Sequence, residues 1–202
     1  MSPQREGRRL SGLIYLHGFN SAPQSHKAQV LWRYMEDRGL GDRYACPKLP
    51  PAPQAAVAVI EDVLARLPGA TLIGSSLGGF YATHLAEAHR LKAVLLNPAV
   101  TPQADLESYL GPQRNLYTGE EYELTRDHLA QWRALAVERV DPARYLLLVE
   151  TGDEVLDYRH AVTRYRGAEQ VVIEGGDHSL RSFPAHLDRI LAFAGLAPAR
   201  TI

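Results

Sequence analysis

Short apolar runs recur along the chain: Leu13-Ile14-Tyr15-Leu16, Leu72-Ile73, Ala93-Val94-Leu95-Leu96 and Tyr145-Leu146-Leu147-Leu148-Val149. They are continuous instead of alternating with polar residues, the pattern of strands covered on both faces. Tyr44–Cys46 and Val171–Ile173 add weaker strand signals, giving a sheet of about six strands. Between the strands, apolar positions recur at helical spacing. Ser25 to Gly39 turns Val30, Leu31, Tyr34 and Met35 to one side, and Gln54 to Leu67 does the same with Val57, Ile60, Val63 and Leu64. A helix with an amphipathic stripe of Leu77, Phe80, Tyr81, His84, Leu85 and Ala88 follows, and others are predicted over Tyr158–Tyr165 and Leu180–Ala194. The four prolines from Pro47 to Pro53 make that stretch a loop. Strand and helix in alternation imply right-handed crossovers and a mostly parallel sheet flanked by helices, an α/β fold.

The alternation stops from Val100 to Pro142, a segment too long for a plain loop. Its apolar residues include Tyr109, Tyr117 and Trp132, and the spacing turns helical after Thr125. We read it as a small helical cap, an insertion over about 100–142 between the strand ending near Leu96 and the strand starting near Tyr145, within one domain spanning 1–202. Tyr109, Tyr117 and Trp132 are candidate substrate-binding residues that would line an acyl or aryl pocket and exclude water. The other reading is that these side chains only glue the cap to the body.

The strand ending at Ile73 runs into Gly74-Ser75-Ser76-Leu77-Gly78-Gly79 and then into a helix. Gly74, Ser76 and Gly78 form a G-x-S-x-G elbow, in which the central serine sits in a strained turn with its hydroxyl clear of the sheet. Glycine is required on either side because a Cβ there would collide with neighbouring backbone. A phosphate-binding loop is not supported: no Lys-Ser or Lys-Thr follows the glycines, and no G-x-G-x-x-G occurs.

Serine is a weak nucleophile near neutral pH and needs an adjacent base, which in turn needs a group to fix its tautomer. His178 lies in the glycine turn Gly175-Gly176-Asp177-His178-Ser179 directly beyond a strand, whereas His84, His89, His128, His160 and His186 fall on predicted helices. Asp153 follows the preceding strand, giving the order serine, acid, histidine. Asp157 is the main competing acid, with Glu154 and Asp177 behind it. The candidate oxyanion donors are the backbone N–H of Leu77, after the nucleophile, and that of Phe19, in the loop His17-Gly18-Phe19-Asn20-Ser21 after the first strand. His17 itself is read as a residue that holds this loop. His17, Ser76 and Asn97 all follow strand ends, where parallel sheets bind ligands. Cys46-Pro47 is read as packing, since no helix N-terminus or cation is evident to activate the thiol.

Composition narrows the partners. The 202 residues carry 22 basic and 23 acidic side chains for a net charge of −1, which argues against nucleic acid and a polybasic membrane anchor and favours a small, not highly charged substrate. A chain of this size buries about 70 % of its unfolded surface and needs neither disulfide nor metal to hold it. The single cysteine fits a reducing cytoplasm. Residues 1–10 read as a loose lead-in, and Arg8-Arg9 before the short run Leu13–Leu16 reads as the approach to a core strand, not an export signal. No run approaches the ~20 apolar residues of a membrane span. No H-E-x-x-H and no cysteine cluster call for a metal, and no cofactor is expected. Oligomeric state is not readable.

The opening Ile14-Tyr15-Leu16-His17-Gly18-Phe19-Asn20-Ser21 with Pro23-Gln24-Ser25-His26-Lys27 resembles that of the small bacterial YqiA-type esterases of the α/β-hydrolase superfamily. Gly74-Ser75-Ser76-Leu77-Gly78-Gly79-Phe80, Leu96-Asn97-Pro98-Ala99-Val100, Thr151-Gly152-Asp153-Glu154-Val155-Leu156-Asp157-Tyr158 and Gly175-Gly176-Asp177-His178-Ser179 are similar to that family's other blocks, in order over nearly the whole chain. The resemblance implies an α/β-hydrolase fold and a serine esterase acting on short acyl esters, with Ser76 and His178 in its triad; thioesters are a further candidate substrate for the same residues. It also implies a chain lacking the first strands of larger members. Amide hydrolysis by the same residues, and a non-catalytic binding protein on the same fold, are the other readings.

Overall fold

The computed structural model of the chain describes residues 12–196. The lead-in over residues 1–10, with Arg8 and Arg9, lies outside the described residues.

The body is a parallel sheet with helices on both faces. In chain order it comprises β1 (Leu13–Leu16), α1 (His26–Glu36), β2 (Tyr44–Ala45), α2 (Pro53–Arg66), β3 (Thr71–Ser75), α3 (Leu77–His89) and β4 (Ala93–Leu96). After an insertion, which holds two helices and two strands of its own, come β7 (Tyr145–Glu150), α6 (Tyr158–Arg164), β8 (Glu169–Ile173) and α7 (Leu187–Phe193). The six strands lie in the order β2-β1-β3-β4-β7-β8, and every pair is parallel.

Successive side chains of a strand point to opposite faces, so each apolar run feeds two cores. Ile14, Leu16, Leu72, Leu95, Leu147 and Val149 pack under α2 and α3, while Leu13, Tyr15, Ile73, Val94, Leu96 and Leu148 pack against Ala28, Leu31 and Met35 of α1 and Leu187, Ile190 and Leu191 of α7. The centre of the sheet is buried throughout; the edge strands β2 and β8 are only partly buried, with Val172 of β8 exposed.

The insertion differs from the helical cap expected. It contains α4 (Pro102–Asp105), then β5 (Gly111–Arg114) paired antiparallel with β6 (Glu121–Leu124), then α5 (Arg126–Leu135). Asn115 closes the hairpin by accepting the N–H groups of Tyr117 and Thr118 at 2.9 and 3.0 Å, and Gly119 supplies a left-handed residue at φ 72°. Such strands of alternating, largely polar residues carry a weak sequence signal. Helix α3, expected to be amphipathic, is buried nearly all round, because α5 covers its outer side. The last predicted helix is shortened. Pro184 lacks an N–H to continue the ladder, so Phe183–His186 forms a 3-10 turn and the α-helix starts at Leu187.

Candidate active site

Ser76 sits between β3 and α3 with φ 53° and ψ −122°, a region that residues with a Cβ seldom occupy. Hydrogen bonds over-determine that conformation: its N–H donates to Leu96 O at 3.0 Å, and its carbonyl accepts from Gly79 N–H at 2.9 Å and Ala99 N–H at 3.0 Å. The flanking glycines are a steric requirement. A Cβ on Gly74 would lie 2.3 Å from Gly78 O, and one on Gly78 would lie 2.0 Å from Leu16 O. The elbow therefore presses its helix against the end of β1.

The loop after β8 brings His178 over the serine, with Nε2 3.1 Å from Ser76 Oγ. Its Nδ1 is 2.9 Å from both oxygens of Asp153, whose side chain is 2 % exposed. A carboxylate only accepts, so Nδ1 carries the proton and Nε2 is free to accept from the serine hydroxyl. Asp153 is held in turn by the N–H groups of Val155 and Leu156, each at 2.9 Å. Burial alone would raise the Asp153 carboxyl; the hydrogen bonds from His178, Leu156 and Val155 outweigh it and hold the group below the usual carboxylate range. Asp157 is engaged elsewhere. It caps α6 through Arg159 N–H at 3.0 Å and pairs with the Arg159 guanidinium, which draws its carboxyl down to about 2.

Three further groups fix the histidine loop. Asn97, buried and at φ 41°, accepts Glu150 N–H at 3.0 Å and donates to Asp177 O and His178 O at 3.0 and 3.3 Å. Glu150, 1 % exposed at the end of β7, accepts Asp177 N–H at 2.7 Å and Ser182 N–H at 2.9 Å. Glu154 adds an acceptor for His178 N–H at 2.9 Å. Glu150 carried no site signal in the sequence, where it is simply the last residue of an apolar run.

The loop after β1 is pinned by the insertion's hairpin. Asn20, at φ 51°, accepts from Tyr122 Oη at 2.7 Å and donates to Gln113 at 3.0 Å, and its carbonyl accepts Leu116 N–H at 3.0 Å. Among the described residues, the N–H groups of Phe19 and Leu77 have no hydrogen-bond partner. His17 is a strut: its Nε2 accepts Leu49 N–H at 3.1 Å, tying in the proline-rich loop, and burial lowers its pKa. Cys46 is half-buried, and burial pushes its thiol up to about 12.

Two hollows meet at Gly18 and Phe19. One of about 40 Å³ is lined by Leu77, Tyr81, Leu49, Pro50 and Tyr122. The other, about 300 Å³, is lined by Ser76, His178, Ser25, Lys27 and Tyr117. Of the three aromatic candidates, Tyr117 thus reaches a hollow. Tyr109 is half-exposed and packs edge-on against Phe19, with ring centroids 6.0 Å apart. Trp132 is 1 % exposed and donates its indole N–H to Tyr81 Oη at 2.8 Å, so the structure takes it into the core between cap and body. The period that predicted its helix could not say which side the helix buries. Among the described residues no helix is long and apolar enough to cross a membrane, and no cluster of three or more His, Cys, Asp and Glu is placed to hold a metal.

The fold is shared with known hydrolases. A putative hydrolase from Agrobacterium vitis superposes with a TM-score of 0.73 at 21 % identity, covering 91 % of this chain and 88 % of that one. Est1E from Butyrivibrio proteoclasticus superposes with a TM-score of 0.66 at 16 % identity, covering 94 % and 88 %. In sequence, a UPF0227 protein of Serratia proteamaculans is 25 % identical over 199 residues, covering 91 % of this chain and 99 % of the relative. Residues 12–195 match the model of the uncharacterised protein family UPF0227, and with that match the chain belongs to this family of α/β-hydrolase fold.

Proposed function

We propose that the chain is a serine hydrolase that cleaves short-chain carboxylic esters, and thioesters of similar size, through an acyl-enzyme on Ser76. The observation that carries this is the continuous contact from Ser76 Oγ to His178 Nε2 at 3.1 Å and on from Nδ1 to Asp153 at 2.9 Å. As Oγ attacks the carbonyl carbon, its proton passes to Nε2, and Asp153 stabilises the imidazolium without taking the proton. The oxyanion is received by the N–H groups of Leu77 and Phe19, each worth about a hundredfold or more in rate. Leu77 is also the first residue of α3, whose positive end faces the developing charge. The imidazolium then protonates the leaving oxygen or sulfur. Water, activated by the same imidazole, adds to the acyl carbon and releases the acid.

The leaving atom must reach Nε2, so the leaving group occupies the larger hollow, which His178 lines. The acyl chain takes the smaller one beside Leu77. Its 40 Å³ holds about three water-sized groups, which fits an acyl chain from acetyl to about butyryl. The partner in this reading is a small molecule, and the lone cysteine supports a reducing, cytoplasmic setting.

A fluorophosphonate probe tests the reading: covalent labelling at Ser76 is expected in wild type and is lost in Ser76→Ala. Failure to label folded protein would leave a binding protein on a hydrolase fold. A series of p-nitrophenyl esters should show hydrolysis falling steeply beyond butyryl.

A further inference from the structure

The larger hollow has a polar end that the proposed chemistry leaves unused. Its wall includes Ser25, His26 and Lys27, the start of α1, an 11-residue helix. Ser25 occupies the N-cap position but does not cap: its hydroxyl makes no hydrogen bond, although the residue is only 8 % exposed. Ser25 N–H is taken by Ala22 O at 2.9 Å and its carbonyl by Gln29 N–H at 3.0 Å, so the helix entry is fixed while the hydroxyl stays unused. Among the described residues, the N–H groups of His26, Lys27 and Ala28 have no acceptor either. Two of these residues, His26 and Lys27, line the hollow together with Ser25, so two free backbone donors, one buried hydroxyl and the positive end of a helix dipole lie along one wall.

Lys27 adds an ammonium there, whose pKa burial lowers and the nearby carboxylates of Asp177, Glu150 and Asp153 partly restore. Lys27 Nζ donates to Ser179 O at 2.7 Å, beside the histidine, which leaves two ammonium donors uncommitted. The carboxylates nearest to it are already occupied. Asp153 is bonded to His178, Asp177 is paired with Arg181 and with Ser179 N–H, and Glu150 is filled by the N–H groups of Asp177 and Ser182. Among the described residues Lys27 makes no ion pair. A hollow with unspent donors and one unpaired cation, on the leaving-group side of the nucleophile, suits an anion.

We infer that the leaving group of the natural substrate carries a carboxylate, bound by Lys27 Nζ, Ser25 Oγ and the N-terminus of α1. This rests on the serine hydrolase reading and adds the substrate class: a short acyl ester of a hydroxy acid. The wall lies in the same 300 Å³ hollow as Ser76 and His178, so the hydroxyl and carboxylate of one small alcohol are received together.

The test compares 4-acetoxybenzoate with its neutral isostere 4-acetoxybenzamide, each rate divided by that of the same ester in buffer alone. Wild type should favour the anionic ester by about tenfold in kcat/KM at low ionic strength. Lys27→Met should bring that ratio near one, and Lys27→Arg should keep it. Equal use of the two esters, or a ratio that Lys27→Met leaves unchanged, would overturn the inference while leaving the hydrolase standing. Calorimetry on Ser76→Ala supplies a readout without turnover. 4-Hydroxybenzoate should bind more tightly than 4-hydroxybenzamide, and the double variant with Lys27→Met should lose about tenfold of that affinity. Binding indifferent to Lys27 would also overturn it. Hydrolysis of neither ester, together with no fluorophosphonate labelling, would instead remove the hydrolase reading beneath it.

Discussion

Asn97 holds the loop of His178 by its backbone: the amide Nδ2 donates to His178 O at 3.3 Å and to Asp177 O at 3.0 Å, while Oδ1 accepts Glu150 N–H at 3.0 Å. One buried side chain at the end of β4 thus ties β7, which leads to Asp153, to the turn that carries His178. Both partners of the proton relay are positioned from a third strand that takes no part in it.

Replacing Asn97 by Ala strands a buried N–H and leaves two carbonyls without their partner, a loss of about 1–3 kcal/mol. For a domain of this size that lowers Tm by about 2–12 °C. The loosened imidazole should lower kcat on p-nitrophenyl acetate by about tenfold or more with little change in KM, since geometry at the reacting atoms and not binding is lost. Unchanged kcat with lowered Tm would make Asn97 a stability residue only.

Ser76 separates strain from chemistry. Ser76→Ala and Ser76→Gly should both cut ester hydrolysis by several orders of magnitude. They should differ in stability, because only glycine relaxes at φ 53° and ψ −122°. Ser76→Gly should melt above Ser76→Ala by about 1 kcal/mol, or about 2–4 °C. Equal melting temperatures would mean that the elbow stores no strain.

The elbow glycines give a steric contrast. Gly78→Ala would drive a Cβ to 2.0 Å from Leu16 O, and two packed backbone segments cannot part without opening the core. It should express as insoluble protein or lose Ser76 labelling. Gly39→Ala meets no atom within 4 Å and bears only the cost of its positive φ, so it should fold and label normally.

The sheet was legible because a parallel strand in a covered sheet must be apolar on both faces, and Leu13–Leu16, Ala93–Leu96 and Tyr145–Val149 can be little else. The elbow was legible because its glycines answer to contacts within a few residues. The hairpin Gly111–Leu124 was not, since Glu121-Tyr122-Glu123-Leu124 has too few apolar residues to separate strand from loop. Glu150 was not, because a carboxylate at the end of an apolar run reads as solvent-facing until the loop from Gly175 is folded over it. Trp132 could be read either as pocket lining or as glue between cap and body, because helical period gives a face but not its partner; its burial against Tyr81 fits the second.

The two acids should part cleanly. Asp153→Asn removes the acceptor that holds the proton on Nδ1 and should lower kcat by on the order of 10³–10⁴-fold. Asp157→Ala removes a helix cap and the Arg159 pair, and should lower Tm slightly while esterase activity stays near wild type. Greater damage from Asp157→Ala would reverse the assignment.

Acid should release the histidine loop through Glu150. Burial raises this carboxyl, but the hydrogen bonds from Ser182 and from the N–H of Asp177 outweigh it and bring it below its ordinary value. A group with a lowered folded pKa contributes stability that is complete above its unfolded pKa, about 4.3, and disappears as pH falls through the folded one. Glu150→Gln cannot titrate and turns an amide donor toward N–H groups that need acceptors. The variant should therefore melt well below wild type at pH 7, and the gap should narrow steadily as the pH is taken from 5 toward 3. Thermal melts of both proteins across that range decide the point. A gap that stays constant would mean that the ionised carboxylate is not what holds Asp177 and His178 in place.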